Sequence, residues 1–196
     1  MKKKIKFKKT KVKLNSLQKN ILFVLIFLAI YCILLIFDKT IYSFLAIPAS
    51  ENTKNIIFSF QQDLIFFPII FIFGLICIYF KKEKKKITKK KLLAFIFSVC
   101  LSLLIAFIFK NLIFKPRPDM LLGFDSFPSG HATLLFTLFP FIKNNSKILK
   151  IIYSIFVTLI LLSRFLFGYH YLSDLFAGAM LGYSISLLTK YFFIKT

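Results

Sequence analysis

Hydrophobic residues in this chain are grouped in six long runs, separated by short segments rich in lysine, proline and polar residues. The runs cover Ile21–Phe37, Leu64–Phe80, Leu92–Phe109, a stretch from Pro128 to about Ile142, Ile148–Phe167 and Leu172–Ile194. An α-helix needs about 20 apolar residues to cross the hydrocarbon core of a bilayer, with shorter helices at the low end of the range. Because helices satisfy their own backbone hydrogen bonds in lipid, the pattern predicts an all-α membrane protein.

Composition agrees with this pattern and excludes an ordinary soluble domain. Hydrophobic residues make up 58% of the chain, and the mean hydropathy is +0.79. The net charge of +21 could suggest a nucleic-acid partner. However, the lysines cluster between the apolar runs, which is the pattern that sets membrane topology, so no nucleic-acid partner is predicted.

The distribution of charge also predicts the sidedness of the runs. If both termini and the lysine-rich segments 81–91 and 143–150 are cytoplasmic, most of the 28 basic residues lie inside and every acid except Glu83 lies outside. We therefore predict a single integral-membrane domain over residues 1–196, a six-transmembrane-helix bundle with both termini cytoplasmic. Residues 1–19 form its basic cytoplasmic tail, which anionic lipid attracts.

The residues with candidate chemistry lie in three short segments between Lys110 and Asp174. These segments contain the only two arginines and the only two histidines of the chain. The predicted topology places them all on the outer face: Lys110, Arg117, His131, Arg164, His170 and Asp174. Ionisable residues at membrane depth are costly and are functional by default, so this face is the predicted site.

The first segment contains Lys110 and Arg117, and Arg117 lies between Pro116 and Pro118. Proline fixes its own φ and restricts the residue before it. A stiffened arginine loses less entropy when its guanidinium binds an anion, so an oxyanion site is predicted here. The alternative is that both cations simply extend from a helix end toward water.

The second segment, Pro128 to His131, is typical of a helix start, with Ser129 as the cap and Gly130 allowing close approach of a ligand. Free N–H groups at a helix start attract phosphate. A simple turn before the next span is the alternative. Ser129 to Ile142 would give only about 21 Å of helix. Because the hydrocarbon core is about 30 Å thick, we expect a site recessed below the outer surface.

The third segment contains Arg164 at the end of one span, and His170 and Asp174 at the start of the next. If these last two residues are helical they share a face, and the carboxylate can fix the tautomer of the imidazole. A nucleophilic histidine needs this support, although a purely structural pair is the alternative. Further along the same run, Gly178 and Gly182 predict close helix packing.

Together, the three segments resemble the type 2 phosphatidic acid phosphatase family. The family pattern Lys-x6-Arg-Pro, Pro-Ser-Gly-His and Ser-Arg-x5-His-x3-Asp is matched in order from Lys110, from Pro128 and from Ser163. Vanadium haloperoxidases are related to this family, but they are soluble, and a six-span chain argues against that branch. The resemblance implies a phosphatase that needs no metal or other cofactor and forms a phosphohistidine intermediate.

The resemblance also implies a role for each residue of the motifs. His170 attacks phosphorus, Asp174 orients His170, and His131 protonates the leaving oxygen. The phosphoryl oxygens are held by Lys110, Arg117, Ser129, the Gly130 amide and Arg164. These roles agree with the chemistry of phosphoryl transfer, in which positioning and charge stabilisation dominate.

We therefore expect a lipid phosphatase in a bacterial plasma membrane, with its active site on the extracytoplasmic face. The expected substrates are undecaprenyl diphosphate, phosphatidylglycerol phosphate and phosphatidic acid, or lipid A if the host has an outer membrane. The alternative is a non-catalytic transporter or binding protein for lipids or anions. The paired histidines with Asp174 argue against the alternative, because anion binding alone does not require them. The oligomeric state is left open.

Overall fold

The computed structural model describes residues 16–46, 52, 63–79, 85–119, 122–142 and 145–195. Within these ranges the chain forms α-helices and no β-strand, which confirms the all-α prediction. The six helices are α1 Ser16–Leu45, α2 Asp63–Tyr79, α3 Lys85–Leu112, α4 Gly130–Ile142, α5 Lys147–Leu166 and α6 Leu172–Lys195. Most of the predicted basic tail, up to residue 15, lies outside the described residues.

Each of the six apolar runs corresponds to one helix. Four helices are long and apolar enough to cross a membrane, over Leu25–Leu45, Ile87–Leu112, Lys147–Leu166 and Leu172–Ile194. The other two are shorter: α2 has 17 residues and α4 has 13. Leucine, isoleucine and phenylalanine side chains are exposed on the outside of the bundle, as expected where lipid is the solvent.

Helix α4 lies in the middle of the bundle, where it contacts α2, α3 and α6. Ten of its thirteen residues are buried, because a helix that is apolar on every side buries all of its faces. Its two buried threonines satisfy their hydroxyls within the helix. Thr133 donates to the carbonyl of Ser129 at 2.9 Å, and Thr137 donates to the carbonyl of Thr133 at 2.8 Å.

The closest packing is between α4 and α6, at the two glycines of α6. A Cβ atom at Gly178 would collide with the carbonyl oxygen of Ser129, and one at Gly182 would collide with the carbonyl oxygen of Thr133. The prediction of close helix packing at these glycines is confirmed. This packing holds the start of α4, with its Ser129 and His131, beside the start of α6.

The predicted end of the first span was wrong, and the difference concerns Asp38. The sequence places this residue in an outer loop, whereas α1 continues to Leu45 and buries Asp38, with 4% of its surface exposed. A charged residue can stay inside the helix here because Lys115, in the loop after α3, forms an ion pair with it at 2.9 Å. The charged residue in this stretch therefore indicates an ion-pair partner inside the protein and not a loop in contact with water.

A single methyl group on α6 tests the packing of α4 against α6. Helix propensity favours alanine over glycine by about 1 kcal/mol, whereas a collision with backbone in a close-packed interior costs about 1–3 kcal/mol. We expect the cost of the collision to exceed the gain in helix propensity, so that Gly182→Ala lowers the midpoint of thermal unfolding in detergent. Ser184→Ala, at an exposed position of the same helix, is the matched control. A Gly182→Ala midpoint equal to or above that of the control would contradict the packing.

Candidate active site

The three segments predicted to form a site are far apart in the sequence but line one cavity of about 260 Å³. Its polar lining consists of Lys110, Arg117, Gly130, His131, Arg164 and His170. Two further predicted residues, Ser129 and Asp174, are fully buried next to this lining. The rest of the lining consists of apolar side chains of α2 and α3, which are Phe67, Leu103, Ala106 and Phe107.

His170 is held at both its backbone and its ring. Its backbone N–H donates to the carbonyl of Arg164 at 3.1 Å, and its Nδ1 lies 2.7 Å from the carbonyl oxygen of Ser126. Because a carbonyl can only accept, Nδ1 carries the hydrogen and the lone pair is left on Nε2. Burial and the charges of Arg164 and Arg117 keep the pKa of His170 well below its ordinary value. A neutral imidazole with a free Nε2 can act as a nucleophile.

The expected direct contact between His170 and Asp174 is not formed, because α6 begins at Leu172 and His170 lies before it. The Asp174 carboxylate instead accepts hydrogen bonds from the Ser126 hydroxyl at 2.5 Å and the Tyr171 N–H at 3.0 Å. It also forms an ion pair with Lys115 at 2.8 Å. Ser126 thus joins the two residues, since its hydroxyl donates to Asp174 and its carbonyl accepts from His170.

His131 lies in the first turn of α4, on the other side of the cavity lining. It is almost completely buried, and its ring packs against Phe66 and Phe67 of α2 at centroid distances of 4.4 Å and 5.4 Å. The prediction that a helix starts at this motif is confirmed. The start of α4 is tied to α6 by the Ser129 N–H, which donates to the Asp174 carbonyl at 3.1 Å. This bond brings the second and third segments together.

The two cations of the first segment are held by Asp125, a residue the sequence did not single out. Arg117 binds the two oxygens of this carboxylate at 2.9 and 3.1 Å, and Lys110 contacts the backbone carbonyl of Asp125 at 2.5 Å. Partial burial would raise the pKa of Asp125, but Arg117 and Lys110 outweigh it and lower the pKa. Asp125 therefore holds both cations close together at one edge of the cavity, and they are not two separate surface charges.

Arg164 supplies the third cation, from the last turn of α5. It is buried, with 5% of its surface exposed, and its guanidinium stacks on the ring of Tyr169 at 4.3 Å. Its carbonyl also accepts the N–H groups of Tyr169 and His170 at 3.1 Å. The position of this cation is therefore coupled directly to that of His170.

The cavity can accommodate a phosphate-sized anion. Three cations and the N-terminus of α4 supply positive charge and donors, and the imidazoles of His131 and His170 line the same cavity. Among the residues that the structure describes, no group of His, Cys, Asp and Glu side chains has the arrangement of a metal site.

Sequence reasoning missed four residues near the site: Asp38, Lys115, Asp125 and Ser126. Ser126 acts on His170 through its backbone, and such a contact has no signature in the sequence. The two acids offered a weak signal, because Asp and Glu together number only seven in this strongly basic chain. An acid is therefore conspicuous wherever it occurs, but its partner cannot be identified from its position alone.

Comparison with known proteins agrees with this geometry. The model of the PAP2 superfamily matches residues 91–196, which include all three segments. The crystal structure of LpxE from Aquifex aeolicus resembles this chain with a TM-score of 0.50 and 24% identity, over 68% of this chain and 90% of that one. That likeness concerns the fold. The comparison with curated proteins gave no match.

The family match covers more than half of the chain, and the residues that carry the motifs line one cavity. Helices α1 and α2 lie outside the matched range. The protein therefore belongs to the PAP2 superfamily, the type 2 phosphatidic acid phosphatases, and is a phosphatase.

Proposed function

We propose that the protein is an integral-membrane lipid phosphatase that hydrolyses a lipid phosphate or diphosphate through a phosphohistidine intermediate. The observation that carries this proposal is that His131 and His170 line one cavity together with three cations and several apolar side chains. Membership of a phosphatase family favours this function over the non-catalytic binding of lipids or anions.

The apolar wall of the cavity supports a lipid substrate. Phe67 of α2 and Leu103 and Phe107 of α3 line the same cavity as the cations, and Phe107 is 64% exposed on the outside of the bundle. Phe107 thus belongs both to the exposed surface of the bundle and to the lining of the cavity. A phosphorylated headgroup would occupy the cavity while its hydrocarbon chain lies against these apolar side chains.

The proposed reaction has two steps. In the first, Nε2 of His170 attacks phosphorus, the bond from phosphorus to the leaving oxygen breaks, and His131 gives that oxygen a proton. In the second, water attacks the phosphohistidine, loses a proton to His131 and releases inorganic phosphate, which restores His170. The phosphoryl oxygens are held by Lys110, Arg117, Ser129, the Gly130 amide and Arg164. Asp174 orients His170 through Ser126 and does not touch it.

We place the active site on the extracytoplasmic face of a bacterial plasma membrane, with all six helices crossing it and both termini cytoplasmic. The charges support this arrangement, because the lysines at 147 and 150 lie at the opposite end of α4 and α5 from the cavity. The two short helices support a recessed site, since α4 begins at the cavity and extends for only 13 residues.

Undecaprenyl diphosphate, phosphatidylglycerol phosphate and phosphatidic acid are the candidate substrates. Lipid A is a further candidate if the host has an outer membrane. Phosphate release by the purified protein against this panel, with and without a chelator, identifies the substrate.

Removal of the proposed nucleophile gives the main test. Wild-type protein incubated with a labelled substrate should give an acid-labile, base-stable phosphoprotein, and His170→Ala should give neither this adduct nor free phosphate. Lys147→Ala, an exposed position at the far end of the bundle, is the control and should retain both. Phosphate release by His170→Ala at the wild-type rate would exclude the proposed intermediate.

The proposed acid predicts a difference between substrates. A leaving phosphate, with a second pKa of about 6, needs little protonation, whereas a lipid alkoxide needs a great deal. We expect His131→Ala to reduce kcat for a monoester by about 100- to 10,000-fold, the usual range for general acid catalysis. The loss for a diphosphate should be much smaller. Equal losses on both substrates would show that His131 is not the acid.

Single cysteines test the proposed sidedness. In a background with Cys32, Cys77 and Cys100 changed to serine, Phe124→Cys places an exposed thiol beside the cavity. An impermeant maleimide should label it in intact spheroplasts. Lys147→Cys, at the other end of the bundle, should react only after permeabilisation. The reverse labelling pattern would place the active site in the cytoplasm.

A further inference from the structure

A cluster of buried charges lies behind His170 and takes no direct part in the proposed reaction. It consists of Lys115 in the loop after α3, Asp38 in α1 and Asp174 in α6. The side chain of Asp174 is fully buried, that of Asp38 is 5% exposed and that of Lys115 is 18% exposed. One cation therefore faces two carboxylates in a site with little access to water.

The charged groups of this cluster bind one another and Ser173 through hydrogen bonds. The ammonium group of Lys115 donates to Asp38 at 2.9 Å, to Asp174 at 2.8 Å and to the hydroxyl of Ser173 at 2.8 Å. These bonds use all three of its hydrogens. Asp38 is also held by the backbone N–H of Ser173 at 3.1 Å and by its hydroxyl. Three segments of the chain are thus joined at one ammonium group.

Lys115 decides the charge state of this cluster. Burial alone would lower the pKa of Lys115, but the carboxylates of Asp174 and Asp38 outweigh it and raise the pKa above the ordinary value. The lysine therefore stays charged. A buried carboxylate without a cation is strongly unfavourable, so loss of Lys115 would drive Asp174 to take up a proton or to move.

The state of Asp174 matters because two groups next to His170 depend on it. Its Oδ2 accepts the hydroxyl of Ser126 and the N–H of Tyr171. Ser126 in turn holds Nδ1 of His170 through its carbonyl. An ionised Asp174 carboxylate accepts both hydrogen bonds, whereas a protonated Asp174 carries an O–H group that itself needs an acceptor.

We propose that Lys115 and Asp38 are positioning residues for His170, acting through Asp174 and Ser126. This inference rests on the proposed role of His170 as the nucleophile. It also assigns a function to α1, which contains Asp38 and lies outside the range that matches the family. Neither Lys115 nor Asp38 lines the cavity, so neither binds the phosphoryl group.

A positioning role predicts a change in kcat and not in KM. The cations that hold the phosphoryl oxygens are Lys110, Arg117 and Arg164, and the cluster leaves them in place. Removing a residue that orients a reacting side chain typically costs about 10- to 100-fold. We therefore expect Lys115→Met to lower kcat per folded molecule by about that factor, with KM changed less than about twofold. The rate of phosphohistidine formation in a single turnover should fall in parallel.

Two further variants make the test independent of the folding of Lys115→Met. Asp38→Asn keeps the lysine and the size of the side chain, and should lower kcat by about three- to tenfold. The double variant Lys115→Met/Asp38→Asn removes one charge of each sign, so the cluster has the same net charge as in the wild type. It should therefore recover part of the kcat that Lys115→Met loses. Lys39→Met, which changes an exposed lysine beside Asp38, is the matched control.

The outcomes separate this inference from the proposed function. If the variants lower only the yield and the thermal midpoint while kcat per folded molecule is unchanged, the cluster is merely structural and the inference is overturned. A rise in KM with an unchanged kcat would also overturn it, because Lys115 would then bind substrate. If the wild-type protein releases no phosphate and forms no phosphohistidine, the proposed function itself fails, and the inference fails with it.

Discussion

The constraint on which the whole structure depends is that a charge inside an apolar bundle needs a partner. Two carboxylates, those of Asp125 and Asp174, pair with cations near the cavity, and their side chains differ in exposure to solvent. Asp125, which holds Lys110 and Arg117, has a side chain that is 52% exposed, whereas the side chain of Asp174, which holds Lys115, is completely buried. Under the proposed function, an incoming phosphate takes the place of the first carboxylate at its cations. The second pair is out of reach of a ligand and remains fixed.

Because of this difference in burial, the cations held by Asp125 are accessible to a ligand, whereas the cation held by Asp174 only supports the surrounding structure. Lys110 and Arg117 are presented to the cavity already gathered around one carboxylate, so the proposed phosphoryl group would meet cations that need little reorganisation. Lys115 lies only two residues before Arg117 and yet faces the opposite way, into the buried cluster. Two nearby cations of one short loop thus face the cavity and the buried cluster, respectively.

The close approach of α4 and α6 brings the two histidines to the same cavity. Gly178 allows the carbonyl of Ser129 to approach α6, and the Ser129 N–H binds the carbonyl of Asp174. The start of α4, which contains His131, is therefore fixed relative to the start of α6, next to His170. Because α4 is only 13 residues long, its N-terminus lies within the bundle and is surrounded by protein.

Much of this could be predicted from the sequence, and the failures have physical causes. Runs of apolar residues locate all six helices, because length and hydropathy decide which segments can lie in lipid. The motif residues could be identified because cations and histidines are rare in such segments. The prediction of a direct contact between His170 and Asp174 was wrong. Residues four positions apart share a face only within a helix, and α6 begins after His170. The pairing of Asp38 with Lys115 joins residues 77 positions apart, and no local pattern encodes it.

The two helices outside the family match also contribute to the surroundings of the cavity. Helix α2 supplies Phe66 and Phe67, which enclose His131 and form part of the apolar wall, and α1 supplies Asp38. The motif residues all belong to the matched range, in which α3, α4, α5 and the loops with Arg117 and His170 form the rest of the cavity. Under the proposed function, substitutions in α2 would reshape the space for a lipid chain without changing a motif residue. Substitutions at Asp38 would act on the charge balance around Asp174, so the two helices would influence the proposed reaction through separate physical effects.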